Sequence, residues 1–107
     1  MSYIFMVFHY PKPEHRDDLV SGMIEMREIM AGSPGFIDAG PWVDAERGRI
    51  VGISRWASRE AFHAAVPPGV GVPSDEIHEW ETRPRELFHL DTATVPQEDH
   101  AGDGRAV

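Results

Sequence analysis

RIVGISRWASREAF, Arg49–Phe62, holds a strand and the start of a helix with no linker between them. Over Arg49–Trp56 the residues alternate, with Val51 and Ile53 on one face and Ile50, Gly52, Ser54 and Trp56 on the other, the period of two that a β-strand imposes. Ser58 then offers its hydroxyl at the N-cap position, and Glu60 lies in the first turn, where the helix dipole favours an anion. Ala61, Phe62, Ala65 and Val66 supply the apolar stripe of a short helix.

Working outward toward the N-terminus, Tyr3–Tyr10 reads as a strand, rich in Tyr, Ile, Phe and Val and closed by Pro11 and Pro13. Its two faces are Tyr3, Phe5, Val7, His9 and Ile4, Met6, Phe8, Tyr10. Both are largely apolar, so this strand is expected to be covered on both sides. Pro13 opens a helix at its favoured first position, with Glu14, Asp17 and Asp18 near the positive end of the dipole. Leu19, Met23, Met26 and Met30 follow as an inner stripe flanked by Val20 and Ile29, and Gly32 and Pro34 stop the helix. Phe36–Val43 is a second strand, interrupted by Gly40-Pro41, which suggests a bulge or an edge position. The polar turn Asp44–Gly48 joins it to Arg49–Trp56 as a hairpin.

Toward the C-terminus, Pro67–Pro73 (PPGVGVP) is a loop that cannot be regular structure. Ser74 is placed as the cap of a short helical turn carrying Ile77 and Trp80 on one side. Pro84–Thr94 is the last strand, with Leu87, His89 and Asp91 opposed to Phe88 and Leu90. Residues 1–94 form the expected domain, and residues 95–107 a polar tail that is mobile or contacts a partner.

The order strand–helix–strand–strand–helix–strand specifies an α+β, ferredoxin-like βαββαβ split. Its four-stranded antiparallel sheet has spatial order 4-1-3-2, and both helices lie on one face. One copy of the chain therefore leaves the second apolar face of the first strand bare. Burying a side chain such as Phe is worth about 1.5–3 kcal/mol, so a second copy packed face to face, a homodimer, is the economical solution.

Composition removes several classes of function. The 107 residues make one domain. The formal charge of −8, with no basic cluster, gives no electrostatic footing for nucleic acid. Without cysteine there is neither a disulfide framework nor thiolate chemistry. MSYIFMVFHY is too short and lacks the basic flank of a signal peptide or membrane span. A soluble, cytoplasmic protein with no membrane partner is expected. There is no dinucleotide fingerprint, no nucleophile elbow and no phosphate-binding loop, so no cofactor site is read. No zinc spacing occurs, and no metal is expected.

Histidines and tryptophans are the remaining candidates. His9 and His89 lie where the first and last strands should pair, so that both imidazoles could face one ligand. An imidazole, with an unperturbed pKa of about 6.5, suits a proton acceptor. His78 follows the Pro/Gly loop and is placed on a lid over a pocket, as a base, a hydrogen-bond partner of the ligand or, less in keeping with the spacing, a metal ligand. His9 and His78 are the catalytic candidates. His15 is read as exposed. Trp42, Trp56 and Trp80 could build an aromatic pocket for a flat molecule, although Trp56 also suits a core position at the strand–helix junction. His63 and His89 complete the binding set.

The junction W-x-S-x-E-A-F, Trp56–Phe62, resembles the antibiotic biosynthesis monooxygenase (ABM) domain. The similarity spans about Tyr3 to Thr94 and implies a dimeric α+β barrel with one apolar pocket per subunit. It also implies oxidation of a small aromatic or quinol-type metabolite without a bound cofactor. Non-catalytic binding of a hydrophobic molecule, or isomerisation, are the alternatives within this resemblance. A haem-degrading branch would need an Asn and a Trp. This chain contains no Asn, and Ala65 occupies the helix position where the Trp would lie. Haem degradation is therefore not expected.

Overall fold

The computed structural model describes residues 2–93, so the expected tail lies outside the described residues. Four strands and two helices follow one another as β1 (Tyr3–His9), α1 (Arg16–Met30), β2 (Phe36–Asp44), β3 (Arg49–Trp56), α2 (Arg59–Ala65) and β4 (Glu86–Asp91). A single 3-10 turn, Pro13–His15, leads into α1. The sheet is antiparallel with order β2-β3-β1-β4, the arrangement expected of a split βαββαβ chain.

Ser58 caps α2 as its position in the sequence requires: its hydroxyl accepts from the Ala61 N–H at 3.1 Å. The irregularity in β2 falls between Phe36 and Asp38 rather than at Gly40-Pro41. Pro41 is tolerated because β2 is the edge strand. Segment 75–78, expected to be helical, is extended and irregular instead. The Ser74 hydroxyl still accepts from the Glu76 N–H at 3.1 Å, but no helical hydrogen bonds follow it.

Side chains at paired positions share a face. Tyr3, Phe5, Val7 and His9 of β1 stand beside Trp56, Ser54, Gly52 and Ile50 of β3. Toward the Tyr3 end this face is close-packed: Tyr3, Met30, Trp56 and Phe62 form the buried cluster, with Phe5, Phe36 and Val66 against it. Trp56 is fully buried, and its indole N–H donates to Ser54 at 3.0 Å.

The opposite face carries Ile4, Met6 and Phe8 beside Val51 and Ile53, with Phe88, Leu90 and Trp42. No element of the chain covers it among the described residues, and Trp42 is 53% exposed. A charged rim runs along one end. Arg49 donates to Asp44 at 2.8 Å and lies over the Phe8 ring, while Tyr10 hydrogen-bonds Glu86 and stacks under Arg83.

Candidate functional site

The helix-covered face has a close-packed end and a hollow end, and the length of α2 is the reason. Seven residues at 1.5 Å each reach only about 10 Å, against about 23 Å for the seven residues of β1. Val66 has left the helical region, and Pro67 and Pro68 cannot continue a helix. The His9 half of the face is therefore roofed by the irregular segment 66–80. Beneath it lies a cavity of about 610 Å³, walled by Phe5, Val7 and Leu87 from the sheet, Leu19, Met23 and Met26 from α1, and Pro68–Val72, Ile77, His78 and Trp80 from the roof, with Ser74, Glu76 and Arg85 as the polar part of its lining beside His9.

Three sets of contacts hold the roof down. The His89 ring N–H (Nε2) donates to the Gly71 carbonyl at 2.8 Å, which leaves Nδ1 to accept from the Tyr3 hydroxyl. The positive φ of Gly71, 85°, and the 3.0 Å that would separate an added Cβ from the imidazole reserve this position for glycine. Trp80 is stacked on His15, with ring centroids 5.6 Å apart, and meets the edge of His78. Backbone hydrogen bonds from Lys12 to Trp80 and from Thr82 to Tyr10, both 2.8 Å, splice segment 80–82 onto the end of β1.

That splice brings Glu81 to His9. Glu81 is 1% exposed and His9 8%. The His9 Nδ1 lies 3.4 Å from Glu81 Oε2, the Arg85 Nε donates to the same oxygen at 2.5 Å, and the Tyr10 N–H donates to Oε1 at 3.0 Å. Burial alone would raise the Glu81 carboxyl, but the bonds from His9, Arg85 and Tyr10 outweigh it and lower its pKa to about 2. Glu81 is thus an acceptor. It calls for the hydrogen on Nδ1 of His9, so a neutral His9 carries its free lone pair on Nε2, which has no protein partner among the described residues. His9 lines the cavity. A carboxylate-oriented imidazole at an apolar cavity wall is equipped to take a proton from a bound molecule.

The expected set is only partly assembled here. His9, His78 and Trp80 line the cavity. The exposed His78 accepts the Trp80 N–H at 3.2 Å through Nδ1, so it is partly engaged in shaping the roof. His89 shares the face of His9 but stands opposite Phe5, four positions away, about 13 Å along the strand. The two imidazoles do not meet, and both ring nitrogens of His89 are engaged. Trp42 lies on the bare face, its ring over Gly40, and Trp56 is in the packed core, so three tryptophans do not make one pocket. His63 is exposed on α2 with its edge to Phe62. His15, expected to be exposed, is half-buried against Trp80.

Glu81 was not legible. One acid among 18 carries no mark of burial until segment 80–82 is known to pair with the end of β1. Its spacing of four from Arg85 was the one available hint. Among the described residues, no cluster of three His, Cys, Asp or Glu could hold a metal ion, and no helix is long and apolar enough to cross a membrane.

The family model described as antibiotic biosynthesis monooxygenase matches residues 2–66, from β1 through α2. The chain belongs to the antibiotic biosynthesis monooxygenase family. His9 lies inside that match; the roof, Glu81 and β4 lie beyond it. Among curated proteins, none matches the chain significantly. Solved structures share this family's fold. Rv0793 from Mycobacterium tuberculosis is similar at 21% identity and a TM-score of 0.68, over 89% of this chain and 98% of its own. A variant of SnoaB, a cofactor-independent oxygenase from Streptomyces nogalater, is similar at 14% identity and a TM-score of 0.60, over 91% of this chain and 98% of its own. The heme-degrader MhuD from M. tuberculosis, with two hemes bound, is similar at 16% identity and a TM-score of 0.59, over 88% of this chain and 98% of its own. At these identities the likeness is one of fold.

Proposed function

We propose that this protein oxidises a small aromatic or quinol-type metabolite with molecular oxygen and no resident cofactor, using His9 as the general base. The reading rests on one observation: the buried His9–Glu81 pair opens a basic nitrogen onto a cavity otherwise lined mostly by apolar side chains. Family membership supports the reaction class. His9 takes a proton from a ring hydroxyl or an activated C–H, and the Glu81 carboxylate stabilises the imidazolium that results. The substrate anion supplies the electrons to oxygen. For a ring methylene, one oxygen atom enters as the new carbonyl and the other leaves as water, so no external reductant is consumed.

Oxygen uptake with a panel of hydroquinones and anthrones tests this reading. Turnover should fall about 100-fold in His9→Gln, with the fold retained by circular dichroism. Unchanged turnover in His9→Gln removes the base. Ligands that raise the melting temperature without any oxygen uptake turn the reading into a non-catalytic binding module; substrate rearrangement without uptake makes it an isomerase.

We further propose that the functional unit is a homodimer joined across the bare sheet face. Ile4, Met6, Phe8, Val51, Ile53 and Trp42 together present the contiguous apolar surface that a second copy would remove from water. Sedimentation should give a species of twice the 12.0 kDa chain mass, and Met6→Asp should return it to a monomer. A wild-type monomer at micromolar concentration rejects the dimer.

A further inference from the structure

The middle of the α1 stripe is less buried than its ends. Leu19 and Met30 are buried, but Met23 is half-buried and Met26 is exposed. Beneath them β3 presents Gly52, and Ser54 and Ala39 flank it. These small residues leave a second, inner cavity of about 130 Å³ that reaches toward Met30. Phe5, Val7, His9, Met23 and Met26 line both cavities, so His9 stands at their junction.

Met23, one of these five, is seated on the sheet. A Cβ added to Gly52 would lie 2.6 Å from the Met23 methyl carbon, Cε, so the thioether tip rests in the notch that Gly52 leaves in the sheet. A glycine in a strand interior weakens the strand and marks a close approach, here by the end of a side chain. Methionine is unbranched, with three rotatable bonds and a polarizable sulfur, and changes rotamer against an apolar wall at little cost. Leu or Ile in its place would be stiffer and could not reach the notch in the same way.

We infer that Met23, seated over Gly52, is the residue that sets how long an apolar ligand the site accepts. With the tip in the notch, a ligand is confined to the outer cavity beside His9. With the tip swung out, the two cavities join, and an elongated apolar molecule can pass His9 into the space beneath α1. The inference rests on the reading that the cavity is the ligand site, but not on any reaction there.

Equilibrium binding of two neutral fluorescent aromatics separates the two ideas: 2-naphthol, which is short, and N-phenyl-1-naphthylamine, which is long. In Met23→Ala the long ligand should bind about ten-fold more tightly while the short one changes less than about two-fold. In Gly52→Ala the new methyl denies the tip its notch and leaves the two cavities joined, so the long ligand should again bind more tightly than in the wild type, by up to about ten-fold. The double variant Gly52→Ala/Met23→Ala should match the affinity of Met23→Ala to within a few-fold, and Met23→Leu, which keeps the apolar wall, controls for folding. Parallel changes for both ligands in Met23→Ala overturn the partition and leave the ligand site standing. Failure of the wild type to bind either ligand overturns the ligand site, and the partition with it.

Discussion

Two ends of one sheet face, built from the same strands, behave as different materials. At the Tyr3 end, α2 lays Phe62 against Trp56 and the rings interlock, with Phe36 edge-on to Trp56 at 5.2 Å and Phe62 at 5.8 Å. At the His9 end the helix has stopped, the roof is an irregular segment, and a cavity and a buried carboxylate take the place of close packing. The packed end supplies rigidity without any chemistry. The hollow end carries the chemistry, and it is held in shape by hydrogen bonds and one ion pair rather than by dense apolar contact.

The contrast can be tested directly. The largest effect is expected at the packed end: Trp56→Ala should lower unfolding stability by about 3–5 kcal/mol in urea titration. A loss below about 1 kcal/mol would show that the interlocked rings are not the anchor.

At the hollow end, the Glu81 pair makes stability depend on acid. Its folded pKa of about 2 lies below the ordinary 4.5. The unfolded chain therefore takes up the proton first, and the contribution is complete above pH 4.5 and lost as the pH falls toward 2. The loss should amount to about 3 kcal/mol between those limits. Glu81→Gln should remove that part of the acid dependence, and an identical acid profile in the variant would count against the pair.

The sharpest form of the comparison lies within α1. Met30→Ala, at the packed end, should cost about 2–3 kcal/mol; Met26→Ala, four residues earlier over the hollow, should change stability by less than about 0.5 kcal/mol. Equal effects would mean that α1 is seated uniformly on the sheet. An effect smaller than that of Met30→Ala is expected in the roof. Gly71→Ala forces a left-handed backbone angle and crowds His89, at a cost of about 1–2 kcal/mol in thermal unfolding. Amide exchange in residues 69–72 should quicken while α2 is unchanged.

Much of the fold was legible because it rests on local pattern. The alternation of Tyr3–Tyr10 and Arg49–Trp56 fixed which side chains share a face, and the structure keeps those assignments residue by residue. Ser58 announced α2 through its own hydroxyl, and the proline pair after Val66 ended it. The failure at residues 75–78 has the opposite cause. Ser74, Ile77 and Trp80 match a helical turn locally, but Trp80 gains more by stacking on His15 and pairing with Lys12, contacts more than 60 residues apart in the chain. His63, Trp42 and Trp56 were sensible binding residues by type, and their positions in the fold take them away from the cavity.

From its own residues the chain determined the order of its strands and helices, the two apolar faces of β1, and the presence of an imidazole at the end of that strand. Periodicity and capping are short-range effects that any few neighbouring residues express. Which acid would meet His9, and that α2 would stop short and leave a hollow there, was decided only in three dimensions. A buried charge is stable only where partners from distant segments converge on it, and no stretch of sequence holds Glu81, His9, Arg85 and the Tyr10 amide together.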